Sequence, residues 1–358
     1  MSSNWLDRFL KIAEKLIGNV EPSFKRVNFY HKNSDLKAFI TDGCIKFETP
    51  VPLSVVDLPY DFIVPLEPLR LILKDEKSDF VSFELKEKQV IISFGNQILM
   101  LPIPKKVDRW HEPMGDNFFN WKLSELIKIL NIGSIVCSEG DYVVLNVGRD
   151  KISCFGSDGH HITVGTSGCE TQTNNFIACI PYVSVRHMVK ASESLKRENI
   201  NVGLSKLGIT ILFGKTRLML CYRQPEPFHY KLVEFAGKLI SESYDDLILV
   251  KNSELKRAIS KLCRFVKKET SLVNCLITKE IMELSAKGEG FYYSFKVPLF
   301  KRSKQTVILK FSPMKVRRFL SKSFSEESIF ELVRRRYVIL KRKRGDLYMI
   351  MKTEKVGG

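Results

Sequence analysis

Three copies of one sequence pattern, each of about 120 residues, run along this chain of 358 residues. Residues 94–101 read Phe-Gly-Asn-Gln-Ile-Leu-Met-Leu and match residues 213–220, which read Phe-Gly-Lys-Thr-Arg-Leu-Met-Leu. A weaker third copy occupies residues 345–351. A glycine followed by a run of apolar residues predicts a turn that leads into a β-strand. The repeat therefore predicts a tandem array of similar units rather than one large core.

Two further landmarks recur in the same order. Residues 122–126 match residues 251–255 as a helix start, and the first repeat has its counterpart in the amphipathic helix that begins near Trp5. A short strand runs through proline into a helix in each repeat, at Pro65, Pro181 and Pro313. Proline suits the first helical position, because that position needs no backbone N–H.

The pattern within each repeat predicts an α+β fold. Residues 36–50 and 81–103 alternate apolar and polar side chains, as half-buried strands do, and the helices between them are amphipathic. Each repeat is therefore expected to form an antiparallel sheet with two helices on one face. The predicted domains are residues 1–116, 117–244 and 245–358. Neither boundary is rich in glycine or serine, which predicts closely joined domains.

Positive charge is concentrated in the third repeat. The whole chain has a net charge of +17, and residues 245–358 carry 27 Lys and Arg against 12 Asp and Glu. Residues 1–116 carry 16 against 17. A polyanionic partner is the natural inference from such a distribution.

Lysine and arginine also form stripes on the predicted helices of all three repeats. One such stripe is usually a solvated face, but recurrence at equivalent places favours a surface that binds phosphates. The stripes contain few aromatic residues, which favours contact with duplex DNA over single strands. The predicted DNA-binding residues are Lys11, Lys15, Lys25, Arg70, Lys74, Lys77, Lys128, Arg186, Lys190, Arg197, Arg257, Lys261, Lys315, Arg318 and Lys322.

Motifs of catalysis and metal binding are missing from the sequence. The eight cysteines have no C-x-x-C spacing, and neither phosphate-binding glycine loops nor hydrolase or zinc-protease motifs occur. The chain is therefore expected to need no cofactor or metal and to be no enzyme. The sequence has neither a membrane-length apolar run nor a signal peptide, so a cytoplasmic protein is expected.

The segment Ser157-Asp158-Gly159-His160-His161 is the one cluster that invites a chemical interpretation. An enzyme that uses His160 with Asp158 is one hypothesis. Adjacent residues on a strand point to opposite faces, which argues against a metal shared by the two histidines. Asp-Gly is also a turn signal, and a turn or interaction surface is the favoured interpretation.

This segment resembles the Thr-Asp-Gly-His-Arg-Leu signature in the middle domain of bacterial DNA polymerase III β sliding clamps. The resemblance covers essentially the whole chain. It includes the strand-to-helix prolines at residues 65 and 181, the Leu-Pro-Ile-Pro run at 101–104, and the Leu-Tyr-Met-Ile-Met strand at 347–351. Among these features only the Asp-Gly-His turn is specific for the family by itself. The shared order of the features strengthens the resemblance.

The resemblance implies a ring. Clamps of this family are head-to-tail homodimers of three-domain chains, with sheets outside and helices around duplex DNA. They are placed on DNA by a clamp loader and hold the polymerase there, without cofactor or chemistry. The implied peptide-binding groove comprises Ser157, Gly159, His160, His161, Ile162, Val233, Met349, Ile350 and Met351. The implied dimer contacts are Leu99, Leu101 and Phe265.

Three departures from the family leave an alternative open. His161 stands where the family has arginine, Met351-Lys352-Thr353 replaces the usual Met-Pro-Met ending, and the third repeat is basic where the family is acidic. The alternative is a clamp-fold protein that binds DNA or clamp partners without closing a ring, such as a decoy or regulator. The oligomeric state distinguishes the two hypotheses.

Overall fold

The chain is described by a computed structural model that covers residues 1–18, 25–32, 35–52, 61–75, 79–86, 89–102, 107–111, 117–171, 173, 175–195, 198–266, 268–269, 271–322, 326–342 and 344–357. It divides into two compact units. The first comprises Met1–Ile127 and Val183–Arg223, and the second comprises Lys128–Tyr182 and Gln224–Gly358. Each unit contains part of the middle repeat, so this division does not test the three predicted domain boundaries.

Within the described ranges the chain forms seven α-helices. They are α1 (Ser3–Ile17), α2 (Leu66–Asp75), α3 (Leu123–Gly133), α4 (Tyr182–Leu195), α5 (Pro227–Ser241), α6 (Asn252–Phe265) and α7 (Pro313–Ser321). Six of them are the predicted helices, two for each repeat. Pro313 opens α7 as expected, whereas Pro65 and Pro181 end the preceding strands, one residue before their helices. Helix α5 was not predicted.

Helix α1 shows why the predicted helices form. Its apolar residues recur every three or four positions, and Leu6, Phe9, Ala13 and Leu16 are buried along one face. Burying each of the larger side chains contributes about 1.5–3 kcal/mol. The helix ends at Gly18, whose φ of 63° lies in the left-handed region that glycine adopts freely.

In the first unit the residues that the structure describes form an eight-stranded antiparallel sheet and a separate three-stranded one. The larger sheet has the order β4-β1-β2-β3-β15-β14-β13-β8, and the smaller has β5-β6-β7. The strands are β1 (Arg26–Lys32), β2 (Asp35–Thr41), β3 (Ile45–Pro50), β4 (Phe62–Pro65), β5 (Val81–Lys86), β6 (Gln89–Phe94), β7 (Gln97–Pro102), β8 (Asn117–Lys122), β13 (Asn199–Leu204), β14 (Gly208–Phe213) and β15 (Thr216–Cys221).

The described residues of the second unit form one twelve-stranded sheet. Its order is β12-β9-β10-β11-β23-β20-β17-β18-β19-β16-β21-β22, and β22 also pairs with β23. The strands are β9 (Tyr142–Val147), β10 (Lys151–Ser157), β11 (His161–Gly168), β12 (Phe176–Pro181), β16 (Asp246–Lys251), β17 (Val273–Ile277), β18 (Ile281–Gly288), β19 (Phe291–Lys301), β20 (Thr306–Phe311), β21 (Glu327–Val333), β22 (Tyr337–Lys341) and β23 (Leu347–Gly357).

Strand registers reproduce the sequence repeat. In the first unit β15 pairs with β3, with Leu218 opposite Phe47. In the second unit β23 pairs with β11, with Met349 opposite Thr163. Both pairings join the strand after a glycine turn to the strand after an Asp-Gly turn. The repeat found in the sequence is therefore also a repeat of strand pairing.

The burial pattern adds a second layer of cover to the sheets, beyond the two predicted helices of each repeat. Residues 36–40 of β2 are all buried instead of alternating, because Val107 and Trp110 cover the side of the sheet that carries Phe39 and Met219. In the second unit the corresponding cover is α5, whose Leu232, Ala236 and Leu239 pack in one core cluster with β-strand residues. Both cores are thus covered on two faces.

A buried ion pair lies under Trp110 in the first unit. Arg217 donates to the Glu48 carboxylate at 2.7 and 2.8 Å, and its guanidinium lies 3.9 Å from the centre of the Trp110 ring. The Tyr30 hydroxyl donates a short hydrogen bond to the same carboxylate. Burial and the neighbouring Glu48 raise the pKa of Tyr30, which therefore stays protonated. At the matching register in the second unit stand Tyr348 and Val164.

Candidate functional site

The turn between β10 and β11 is closed by the side chain of Asp158. One carboxylate oxygen accepts the N–H groups of His160 (2.9 Å) and His161 (2.7 Å). The backbone N–H of Asp158 donates to the carbonyl of His161 at 3.3 Å. Gly159, with φ of 85°, occupies the left-handed position of the turn. The predicted Asp-Gly turn is confirmed.

The same carboxylate links this turn to α7. Its other oxygen accepts a hydrogen bond from Lys315 Nζ at 2.5 Å and lies 3.0 Å from His161 Nδ1. His161 Nε2 accepts the N–H of Ser312, the residue before α7, at 3.1 Å. Because Nε2 accepts, the ring proton must be on Nδ1, which donates to Asp158. The turn is therefore tied to the start of α7 by a chain of four polar groups.

Asp158 is held in its ionised form. Burial alone would raise the pKa of Asp158, but hydrogen bonds from His161 and Lys315 outweigh it and hold that pKa well below its ordinary value. The carboxylate contacts the ring of His161, which is buried, whereas the ring of His160 is exposed to solvent. The enzyme hypothesis required a contact between the Asp158 carboxylate and the His160 ring, and this arrangement does not provide one. In the part of the chain that the structure describes, no three His, Cys, Asp or Glu side chains cluster as metal ligands do.

A second copy of this turn, which the sequence analysis missed, lies between β2 and β3. Asp42 accepts the N–H groups of Cys44 (2.8 Å) and Ile45 (2.5 Å), and Gly43 has φ of 91°. The Asp42-Gly43 dipeptide could have predicted this turn from the sequence. Within the described ranges no lysine or arginine pairs with Asp42 as Lys315 pairs with Asp158, and burial raises the pKa of Asp42. The two turns thus share a backbone shape and differ in charge compensation.

The residues predicted to form the peptide groove lie on two faces of the sheet. Directly opposed residues of paired strands share a face, and the β11–β23 register pairs Ile162 with Ile350 and His161 with Met351. Ile162 and Ile350 belong to the cluster beneath α5. His161, Met349 and Met351 therefore lie on the other face, where all three are buried.

The face beneath α5 keeps an open side. Val233 of α5 packs against the cluster that contains Ile162 and Ile350, and both Val233 and Ile162 are only half-buried. Ser157 is half-buried, and Gly159 and His160 are exposed at the turn beside it. The structure therefore brings Ser157, Ile162 and Val233 to one surface, with Ile350 beneath it and the turn that carries His160 at the end of the strand pair. We call this surface the α5 groove.

Most of the predicted DNA-binding side chains are exposed on or beside the helices. Lys77 and Arg197 lie outside the described residues. Lys15, Lys128 and Lys261 are half-buried, and Lys315 is buried against Asp158. The exposed members are Lys11, Lys25, Arg70, Lys74, Arg186, Lys190, Arg257, Arg318 and Lys322.

Several of these cations have carboxylate partners within the chain. Lys11 pairs with Asp7 at 2.6 Å, Arg70 with Glu14 at 2.9 Å, and Lys128 with Asp346 at 2.8 Å. Arg318 pairs with Glu269, and Lys15 lies 3.8 Å from Glu193. The pairs of Lys11, Arg70 and Arg318 are exposed and therefore weak, so these three cations remain able to exchange a carboxylate for another anion. Contact of these side chains with DNA stays a prediction.

Two strand edges carry exposed apolar residues. Among the described residues β7 pairs only with β6, and its Ile98 and Met100 are 64% and 59% exposed. The predicted contacts Leu99 and Leu101 point the other way and are half-buried, because side chains alternate along the strand. In the second unit Phe265 is exposed and stacks on Tyr293 of β19, with ring centres 4.4 Å apart.

Among the described residues no helix is both long and apolar enough to span a membrane.

Comparison with known proteins gives the fold. No protein-family model matches the chain. No curated protein matches it in sequence. Solved structures do match over nearly the full length. The DNA polymerase III subunit beta from Pseudomonas aeruginosa has a TM-score of 0.86 at 14% identity, covering 99% of both chains.

Two further matches agree with this one. The DNA polymerase III beta subunit from Thermotoga maritima has a TM-score of 0.83 at 14% identity, covering 99% of this chain and 98% of that one. The DNA polymerase III beta chain from Streptococcus pneumoniae has a TM-score of 0.84 at 13% identity, with the same coverage. The chain therefore has the α+β fold of the DNA polymerase III beta subunits, as its sequence predicted.

Proposed function

We propose that this chain is a DNA sliding clamp, in which two copies joined head to tail encircle duplex DNA and hold a polymerase on it. The observation that carries the proposal is the match in fold along the whole of both chains to structures described as DNA polymerase sliding clamps. A match of that extent includes all three repeats, which a ring of two chains requires. The role is binding and not catalysis.

Exposed cations in every repeat support the DNA-binding part of the proposal. Lys11 and Arg70 belong to the first repeat, Lys190 to the second, and Arg257 and Lys322 to the third. Contacts of lysine and arginine with phosphates supply affinity without reading sequence, which a protein that slides along DNA needs. The third repeat, as the most basic, is expected to contribute most.

The two exposed strand edges support the head-to-tail dimer. Edge β7 in the first unit presents Ile98 and Met100. Edge β19 pairs with β16 only near its end, at Leu299 and Lys301, so its earlier residues have one side without a strand partner among the described residues. Unpaired edges with exposed apolar side chains invite pairing with another chain. We assign β7 of one copy and β19 of the next to the interface.

The α5 groove supports the partner-binding part. Its half-buried apolar residues, Ile162 and Val233, would contact the apolar side chains of a short peptide from a polymerase or clamp loader.

Oligomeric state and DNA topology test the proposal. Light scattering should give twice the chain mass of 41.3 kDa at micromolar concentration. Protein incubated with nicked circular plasmid at low salt, then passed through a sizing column at high salt, should stay with the circle and leave the linearised plasmid. High salt removes electrostatic binding and leaves a topological link intact. Equal retention on both forms would contradict the proposal, and a monomer would favour the clamp-fold protein that closes no ring.

A further inference from the structure

Cys44 and Cys221 are neighbours at one end of the β3–β15 strand pair. The last register pair of these strands is Ile45 with Leu220. One residue further, the N–H of Cys221 donates to the carbonyl of Cys44 at 2.8 Å. Residues joined across antiparallel strands by such hydrogen bonds have Cα atoms roughly 5.5 Å apart. Disulfides join Cα atoms that are about 4.4–6.8 Å apart, so the backbone already holds these two cysteines within bonding reach.

The sulfur of Cys221 lies beside the turn that carries Cys44. The Cys221 thiol donates to the carbonyl of Gly43, the residue before Cys44, with Sγ and O 3.6 Å apart. Both cysteines are thiols in this structure. Cys44 is exposed and Cys221 is half-buried, so a small molecule in the solvent has access to the pair.

The other six cysteines lack this combination of access and a cysteine neighbour across a strand pair. Four of them are buried, namely Cys137, Cys154, Cys179 and Cys275. Cys169 and Cys263 are half-buried, but Cys169 follows the end of β11 and Cys263 lies on α6. Among the described residues, therefore, only Cys44 and Cys221 combine a cross-strand position with solvent access.

A bond between Cys44 and Cys221 would cross the seam between two repeats. Strand β3 lies in the first repeat and β15 in the second, and their pairing joins the two repeats into one eight-stranded sheet. The bond would close a covalent loop that contains most of both repeats. Cross-links that close long loops restrict the unfolded chain most, so this one should stabilise the fold.

We propose that Cys44 and Cys221 form a redox site, at which a small-molecule disulfide oxidises the two thiols to a reversible disulfide that locks β3 to β15. The thiolate of Cys44, the more exposed cysteine, attacks the S–S bond of the small molecule, which breaks and releases one thiol. The thiolate of Cys221 then attacks the sulfur of Cys44, and the second thiol leaves as the Cys44–Cys221 bond forms. Two electrons and two protons pass from the protein thiols to the two released thiols. The site is separate from the proposed clamp function.

The surroundings of Cys44 set the speed of this exchange. Partial desolvation, and then the neighbouring Asp42 carboxylate, raise the pKa of the Cys44 thiol. Because the thiolate is the attacking species, the exchange should be slow at neutral pH and faster toward about pH 9. Disulfides of this kind in a reducing compartment are transient and sense the redox state. The site should therefore respond to sustained oxidation and not to a brief pulse.

Peptide mapping of the full chain tests the proposal. Native protein is incubated with oxidised glutathione at about pH 8.5, where thiolate forms, and is then alkylated and digested with trypsin. Mass spectrometry should find residues 38–46 linked to residues 218–223, two peptides that carry one cysteine each. Dithiothreitol should release them. The midpoint of thermal unfolding should be about 5–10 °C higher for the oxidised chain than for the reduced chain.

Serine variants identify the two sulfurs. Cys44→Ser and Cys221→Ser should each lose the cross-link and the thermal shift, and Cys221→Ser should stop at a glutathione adduct on Cys44. Cys169→Ser is the matched control, because Cys169 is half-buried like Cys221, and it should keep both effects.

Four results for the chain without substitutions would each overturn the proposal. They are no oxidation of either cysteine, a glutathione adduct without a cross-link, a cross-link to a different cysteine, and a cross-link without a thermal shift. Every readout is made without DNA, so failure here and failure of the DNA-retention test are distinguishable.

Discussion

Asp42 and Asp158 show how one turn, built twice, acquires different electrostatics from its neighbours. Each carboxylate accepts two backbone N–H groups in the same geometry. Lys315 and His161 lie against Asp158 and lower its pKa, whereas burial without such a cation contact raises the pKa of Asp42. The free energy of folding should therefore respond in opposite ways when each charge is removed.

Asp158→Asn should destabilise the fold by about 2–4 kcal/mol at neutral pH, because it leaves the buried amino group of Lys315 without its counter-charge. Urea denaturation measures the change. Asp42→Asn is the control: asparagine keeps the oxygen that caps the turn and removes a half-buried charge, so the change should stay within about 1 kcal/mol. A loss at Asp42 as large as at Asp158 would contradict this account.

The pH dependence of the same pair follows from the two pKa directions. A carboxylate with a lowered pKa in the folded chain stabilises it fully above the ordinary value, near pH 4, and loses that effect as the pH falls toward the folded-state pKa. The gap in stability between the unmodified chain and Asp158→Asn should therefore shrink below about pH 4. The pKa of Asp42 is raised in the folded chain, so its ionisation destabilises the fold as the pH rises. The stability of Asp42→Asn relative to the unmodified chain should therefore be most favourable at neutral pH. A gap at Asp158 that is constant with pH would be inconsistent with the ion pair.

At the scale of elements, the close packing of α3 on β10 depends on two glycines. A Cβ atom added to Gly156 would lie 1.8 Å from the carbonyl oxygen of Gly133 at the end of α3. That oxygen also accepts a hydrogen bond from the hydroxyl of Thr163 at 3.2 Å, and this bond would be lost if the oxygen moved away. The backbones approach so closely only because neither residue has a side chain.

Gly156→Ala should therefore cost about 2–4 kcal/mol, because the helix must shift away from the strand. Gly237→Ala is the matched control within α5, where an added Cβ has nothing within 4 Å. That change should stabilise the fold by up to about 1 kcal/mol, since alanine favours the helix. Thermal unfolding of both variants decides the matter, and similar shifts for the two would contradict the packing argument.

Helix α5 shows where sequence reasoning stopped. The six other helices followed from landmarks that repeat, but α5 has no copy in the other repeats as far as the structure describes them. Its buried residues Leu232, Ala236 and Leu239 have helical spacing, and Pro227 begins it, yet Gly237 suggested a domain boundary.

The groove prediction listed three consecutive residues of β23, Met349 to Met351, which a strand cannot direct to one side. Only the register with β11 shows that Ile350 alone faces the groove.

At the scale of the whole molecule, the proposed dimer can be broken at one edge. Ile98→Lys on β7 should raise the dissociation constant of the dimer at least tenfold, because it places a charge where apolar contact is expected. Leu207→Lys is the control: Leu207 is 54% exposed, in the turn between β13 and β14. Sedimentation over a range of concentrations measures both variants. If the dissociation constant of the dimer is unchanged in Ile98→Lys, the interface lies elsewhere.

DNA binding by the third repeat is predicted to depend on helix cations. Arg257→Gln should weaken binding to any duplex and lower the slope of log affinity against log salt by about one. Arg302→Gln is the control, because Arg302 is also exposed, lies off the helices and pairs with Glu280 at 2.8 Å. Titrations at several salt concentrations give the slope. Equal effects of the two variants would place the DNA on a surface other than the helices.

The buried pair of Arg217 and Glu48 has a consequence for how a repetitive chain folds. Three similar copies in one chain offer wrong strand partners, and repeat proteins are prone to such exchange. If β23 took the place of β15 beside β3, Tyr348 would stand where Arg217 belongs and Glu48 would be buried without a cation, at a cost of several kcal/mol. If β15 instead joined β11, Arg217 would face Val164. The ion pair thus favours the native strand pairing over both exchanged pairings.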